Sequence, residues 1–177
     1  MSDSKPDLVI RSATRADVGV IAQFIRELAE YERRAHEIAF TEESLGQALF
    51  GERPGAEVVL AELDGVEVGY ALFFSTFSSF LGKPGIYLED VIVRPAMRGR
   101  GIGRRLFAHV AALATTRGCA RLEWSVLDWN ESAIKFYEGL GAQSQSEWTV
   151  YRLTGAALER LAEASPATRG GLLGGQT

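Results

Sequence analysis

The chain has a single cysteine, Cys119, and two histidines, His36 and His109, among its 177 residues. A lone cysteine can form no internal disulfide, which points to a reducing compartment. It stands between Gly118 and a stretch that reads as a strand, the setting of a buried structural thiol rather than a nucleophile. The two histidines lack the close ligand spacing of a zinc site, so no metal is expected. No apolar run approaches the roughly 18 residues of a membrane span, and Met1-Ser2-Asp3-Ser4-Lys5 does not open a signal peptide. The expected location is cytoplasmic, with no membrane partner. A basic excess is also missing: 19 Lys and Arg against 23 Asp and Glu give a net charge of −4. That balance argues against nucleic acid and suits a small cationic substrate. No internal repeat and no second domain are apparent.

What is present is an ordinary globular composition, 46% hydrophobic and 24% charged, long enough for one domain with a real core. The most informative segment runs from Tyr87 to Gly103: Tyr-Leu-Glu-Asp-Val-Ile-Val-Arg-Pro-Ala-Met-Arg-Gly-Arg-Gly-Ile-Gly. An apolar strand carrying two carboxylates enters a turn rich in arginine and glycine, and a helix follows. Backbone N–H groups of such a turn can close on an anion at the helix N-terminus, which carries roughly half a positive charge. Glycine is suited to this because backbone near a phosphate leaves little room for Cβ and often needs positive φ. A phosphate-bearing cofactor is therefore expected. It is not a dinucleotide of the G-x-G-x-x-G type, because Arg104 stands where the last glycine belongs. It is not held by a P-loop either, since the only Gly-Lys pair, Gly82-Lys83, precedes Pro84.

Arg98-Gly99-Arg100-Gly101-Ile102-Gly103 does match [RQ]-x-x-G-x-[GA]. This resembles the pyrophosphate-binding motif of the GNAT acetyltransferases, which hold acetyl-CoA. A second segment, Trp129 to Ala142, reads as a helix with Asn130 as N-cap and Gly141 as its stop. Asn130, Ala133 and Tyr137 fall at i, i+3 and i+7 and share a face. This N-x-x-A-x-x-x-Y-x-x-x-G-A pattern resembles the second GNAT cofactor motif, in family order and at family spacing. The resemblance covers about residues 8 to 160. Its form is that of the diamine and thialysine acetyltransferases, relatives of spermidine/spermine acetyltransferase. Val9-Ile10-Arg11, Glu27 to Glu32, Tyr87-Leu88-Glu89-Asp90 and Asp128-Trp129-Asn130 carry it.

Along the chain, strands are expected at Leu8–Ser12, Glu57–Leu63, Glu67–Phe77, Ile86–Val93, Arg121–Leu127 and Gln143–Leu153. The Asp64-Gly65 pair joins the second and third as a hairpin. Helices are expected from a Thr14 cap to about Glu32, from Thr41 to Leu49, from Gly103 to Arg117, from Asn130 to Leu140, and from a Thr154 cap to about Ala164. The fold class is α/β (α+β): a GNAT-like mixed, mostly antiparallel sheet flanked by helices. Residues 1–164 are expected as one acetyltransferase domain, and 165–177 as a disordered glycine-rich tail.

Acetyl transfer to an amine needs that amine neutral, although a lysine-like ammonium has a pKa of about 10.4. A base must take its proton, and an acid must protonate the departing thiolate. Glu89 and Asp90 are adjacent on a strand, so regular alternation sends them to opposite faces, and only one meets the amine. The resemblance gives the base role to Glu89, through water, and the acid role to Tyr137. A phenol with pKa near 10 is protonated at neutral pH and can serve a thiolate of pKa near 8.5. The resemblance further implies that the backbone of Val91, Ile92 and Val93 binds the pantetheine arm. The pyrophosphate falls to Arg98, Gly99, Arg100, Gly101, Ile102, Gly103 and Arg104, with Arg98 and the loop amides foremost; Asn130, Ala133 and Tyr137 complete the cofactor set. Tyr31, Glu32, Glu89 and Asp90 are the expected substrate contacts, and Glu27, Glu30 and Glu32 form a candidate acidic mouth. Trp148 is a candidate wall of the site, although a lone Trp in a strand is more often core. Polyamine-preferring relatives carry an Asp and a Trp after the third strand, where this chain has Ser78-Ser79-Phe80. That difference favours a small amino acid with an ω-amine over long polyamines. A homodimer is implied by the family. The rival readings are another amine substrate (a peptide N-terminus, an aminoglycoside or an α-amine) and a non-catalytic CoA-binding sensor.

Overall fold

A computed structural model describes residues 7–166, so the expected tail beyond Pro166 lies outside the described residues. The described chain forms two compact units, one ending at Glu131 and one beginning at Ser132.

The first unit is built on five strands: β1 (Leu8–Ser12), β2 (Glu57–Leu63), β3 (Val66–Ser78), β4 (Lys83–Val93) and β5 (Leu122–Trp124). They lie side by side in chain order, antiparallel except for the parallel pairing of β4 with β5. The β2–β3 hairpin closes as expected. Leu63 pairs with Val66 across Asp64 and Gly65, both at positive φ (51° and 80°), the backbone of a turn whose twist matches its strands.

Both faces of the sheet are covered, which explains why β2 and β3 read as nearly continuous apolar runs. Val58, Leu60, Tyr70, Leu72 and Ile92 face α1 (Val18–Tyr31) and α2 (Glu42–Phe50), meeting Ile21, Phe24 and Leu49. The alternate residues Val59, Ala61, Ala71 and Phe73 are equally buried. Across them lies α3 (Ile102–Thr116), which packs against β1 to β4 and buries Leu106 and Val110.

The helix starts differ in detail from the sequence reading. The Thr14–Asp17 box forms, with Thr14 N–H and Oγ1 both donating to Asp17 Oδ2 (2.7 and 2.9 Å), but it caps one 3-10 turn before α1 begins. The Arg11 guanidinium holds the same Asp17 carboxyl down to about 2 and ties β1 to that turn. Thr41 caps α2 by accepting from Ser44 N–H at 3.1 Å.

The second unit contains the rest of α4 (Glu131–Glu138) and α5 (Gly155–Glu163). Thr154 holds the N-cap position of α5 but makes no side-chain cap bond. The strand expected at Gln143–Leu153 is irregular chain. Trp148 and Val150 are two apart, as are Tyr151 and Leu153, but the two pairs are out of phase. No single face collects them, and the register of a strand has nothing to hold it. Trp148 is accordingly 75% exposed, and is neither in a strand nor core.

Candidate active site

The site begins with an irregularity in β4. Leu72 pairs with Asp90 while its neighbour Phe73 pairs with Leu88, so Glu89 is the extra residue of a β-bulge. Leu88 and Asp90, two apart, consequently face opposite sides of the sheet. The argument that Glu89 and Asp90 part by simple alternation assumes an unbroken period of two, which the bulge interrupts. The bulge also limits β5. Its parallel pairing covers Ile86, Tyr87 and Leu88 and stops there, which is why the strand expected to reach Leu127 ends at Trp124. From Val91 to Val93 no further strand of the described residues pairs with β4 on that side.

Asp90 turns toward the α1 layer, with Leu72 and Ile92. There Tyr70, fully buried and stacked on Phe24 (5.3 Å, 9°), donates its phenol to Asp90 Oδ2 at 2.7 Å. Burial pushes the Asp90 carboxyl up, and the Tyr70 hydrogen bond only partly offsets this. Glu32, the residue after α1, is likewise raised, by burial and by the charge of Asp90, with Arg34 opposing. The Tyr70 phenol is driven well above its usual value by burial, by Asp90, and by the charges of Glu32 and Glu89. Glu32, Glu89 and Asp90 thus act on one buried hydroxyl, and a cation among them would relieve their repulsion.

The acidic mouth is therefore composed differently from the sequence reading. Glu27 is committed to Arg94 at 3.5 Å and accepts from Gln23, and Glu30 is exposed. Ser78 is buried at the end of β3, where Oγ accepts from Leu81 N–H at 3.4 Å. Tyr70 escaped the sequence reading, because in an apolar strand a tyrosine reads as core. The available signal was that a buried phenol needs an acceptor, and that β4 carries a carboxylate in an apolar run.

The glycine turn follows β4 directly. Pro95–Met97 make a 3-10 turn, and Gly101 is the N-cap of α3. Gly99 and Gly101 both have φ of +77°, and a Cβ on either would meet nothing within 4 Å. These glycines are thus required by backbone conformation, and the space above them is open. The first turn of α3 has no side-chain cap and no acidic residue, so its N–H groups are available to an anion. Arg98, Arg100, Arg104 and Arg105 are exposed. Arg98 is partly used internally: Nε donates to the Val93 carbonyl at 3.2 Å, and its guanidinium lies 5.0 Å from the Tyr31 ring centroid.

Asn130 immediately precedes α4 and accepts from Tyr31 Oη at 3.2 Å. In the second unit, Ala133 and Tyr137 lie four apart on α4 and are both half-buried. Tyr137 contacts the Phe136 ring at 5.5 Å. The helix stops as expected: Gly141 has φ of +89°, and Ala142 N–H reaches back to the Tyr137 carbonyl at 3.1 Å. Cys119 is half-buried rather than fully buried. No group of three or more His, Cys, Asp or Glu suited to a metal occurs among the described residues.

Residues 22–142, which contain both glycine turn and bulge, match the sequence model of the acetyltransferase (GNAT) family. The chain belongs to the GNAT family. It is an acetyl-CoA-dependent N-acetyltransferase. Among its relatives is the thialysine N-epsilon-acetyltransferase of Mus musculus, 38% identical over 86% of this chain and 96% of that protein. Another is an L-ornithine N5-acetyltransferase of Arabidopsis thaliana, 34% identical over 86% of each. Among solved structures, an integron cassette protein from V. cholerae superposes with a TM-score of 0.74 at 30% identity, over 89% of this chain and 98% of its own. The acetyltransferase resembles all three over nearly its whole length. No helix among its described residues is long and apolar enough to cross a membrane.

Proposed function

We propose that this acetyltransferase acetylates the terminal amine of a small amino acid or diamine, by direct attack in a ternary complex. The observation carrying this is the acidic group built on the bulge: Glu32 and Asp90, partly buried and raised, around the Tyr70 hydroxyl, with Glu89 acting on the same phenol. Such a group favours a compact ammonium. The names of the thialysine and ornithine relatives agree in substrate class.

In this reading Glu32, Glu89 and Asp90 receive the amine. Glu89 takes its proton through water, the nitrogen bonds to the acetyl carbonyl carbon, and the carbon–sulfur bond breaks. Tyr137 gives its phenolic proton to the departing sulfur, and the second proton leaving the acetylated nitrogen restores the phenol through solvent. The open β4 edge at Val91, Ile92 and Val93 serves the pantetheine arm and the oxyanion. Arg98, Gly99, Arg100, Gly101, Ile102, Gly103 and Arg104 hold the pyrophosphate, with the loop amides foremost because Arg98 is partly engaged. Asn130 and Ala133 complete the cofactor contacts. Residues 1–164 work as one acetyltransferase domain, a reading supported by a family match that runs across the boundary at Glu131. We further propose a cytoplasmic homodimer without nucleic-acid or membrane partners.

Thiol release from acetyl-CoA, scanned over thialysine, lysine, ornithine, putrescine and spermidine, tests the substrate. Highest kcat/KM on an amino-acid ω-amine is expected. Preference for spermidine would overturn the amino-acid assignment, and turnover only of α-amines would overturn the site's proposed orientation.

A further inference from the structure

The sequence pattern gives Tyr31 to the amine substrate, but its contacts in the structure run to another part of the site. Tyr31 is the last residue of α1 and is half-buried. Its hydroxyl donates to Asn130 Oδ1 at 3.2 Å, and its ring lies 5.9 Å from that of Trp129 at 49°. On the same ring sits the Arg98 guanidinium, 5.0 Å from the centroid. Arg98 is anchored in turn by its Nε bond to the Val93 carbonyl, and Trp129 carries the Arg33 guanidinium at 5.8 Å. One tyrosine therefore touches the first residue of the arginine–glycine turn and the residue that precedes α4. These segments are remote in sequence.

We infer that Tyr31 is a positioning residue for acetyl-CoA: its ring and hydroxyl tie the pyrophosphate turn at Arg98 to the Trp129-Asn130 segment. This rests on the reading of residues 98–104 and 130 as cofactor contacts. Two kinds of interaction perform the tie. A cation held over an aromatic face restrains the guanidinium at one end. A phenol hydrogen bond to an amide oxygen fixes the asparagine at the other. Without the ring, Arg98 keeps only its bond to Val93, and the turn's anchor is free to swing. Without the hydroxyl alone, the ring contacts survive and only the Asn130 end is loosened. The two losses are separable by substitution.

The test is calorimetric binding of acetyl-CoA to the full chain, with KM measured for each substrate at saturation of the other. Tyr31→Phe is expected to weaken acetyl-CoA about threefold, and Tyr31→Leu about tenfold or more. The amine KM should stay within about twofold in both, a split that a merely structural tyrosine would not give. In the double variant Tyr31→Leu, Arg98→Gln the two losses should fall short of multiplying, because the residues act as one unit. An amine KM that rises while acetyl-CoA affinity holds would overturn the inference and return Tyr31 to the amine. If Tyr31→Leu fails to fold, Tyr31→Phe carries the same comparison. Should Arg98→Gln and Gly101→Ala leave acetyl-CoA binding untouched, the cofactor assignment of the turn is what has failed, and the inference falls with it.

Discussion

Tyr137 and Asp90 show what single side chains contribute and how far a sequence discloses it. Replacing Tyr137 by Phe removes one oxygen and with it the proposed proton donor. Turnover is expected to fall at least about tenfold while acetyl-CoA binding is retained. Pre-steady-state thiol release checks this, and unchanged turnover would remove Tyr137 from the chemistry. Asp90 gives a stability prediction with a definite sign. Its carboxyl is raised by burial, so the folded state holds the proton more tightly than the unfolded chain does. Its contribution is complete at low pH and is lost as pH rises through the folded value. Asn at this position can still accept from Tyr70 through its amide oxygen but has no charge to bury. Asp90→Asn should therefore melt above the native protein at neutral pH, with the gap narrowing as pH falls through the raised folded value and closed below about 4. Thermal unfolding across that range decides it, and a lower melting point at neutral pH would contradict the argument. Glu89, Asp90 and Tyr137 stand out in the sequence as candidates because they sit in motifs. The partnership of Asp90 with Tyr70 does not, since it depends on which residues of β3 and β4 end up side by side.

At the scale of elements, local signals placed nearly every strand and helix, and the misses share one cause. Leu8–Ser12 and Glu57–Leu63 coincide with the expected strands because apolar runs and the Asp64-Gly65 turn determine them locally. The shortened β5 and the irregular 143–153 depend on partners, which periodicity alone does not reveal. The glycine turn can be probed at this scale. Gly101→Ala forces a β-carbon into left-handed backbone at a cost of roughly 1–2 kcal/mol, with no collision, since the space beside it is open. Urea unfolding should register that loss. Acetyl-CoA affinity should drop about tenfold beyond it, because the methyl group would stand where a phosphate approaches the loop amides. A loss of stability with unaltered affinity would show that the turn is only a turn.

At the scale of the whole molecule, the first unit is organised by a sheet sandwiched between two helical layers, and one residue reveals how the site is coupled to it. Phe24, with no exposed surface, lies between the Tyr70 ring and the Arg94 guanidinium, 4.8 Å from its centroid. Phe24→Ala should cost about 3–5 kcal/mol in urea unfolding. A loss below about 1 kcal/mol would mean that the α1 layer is not what holds the sheet. The layered architecture was legible from alternating strand and helix patterns. The bulge was not, because nothing in Leu88-Glu89-Asp90 distinguishes a regular strand from one carrying a surplus residue. That surplus has a consequence for deletion. Removing Glu89 outright would leave Leu88 opposite Phe73 and Asp90 opposite Leu72, each already on its proper side, so the sheet's reading frame would close without turning any neighbour inside out. Such a chain should fold with stability at or above that of the native protein, as chemical denaturation would show. It should also be inert toward amines, because β5 could then continue its pairing along the edge that the bulge keeps open. The residue proposed as the base is the one that the sheet itself does not need.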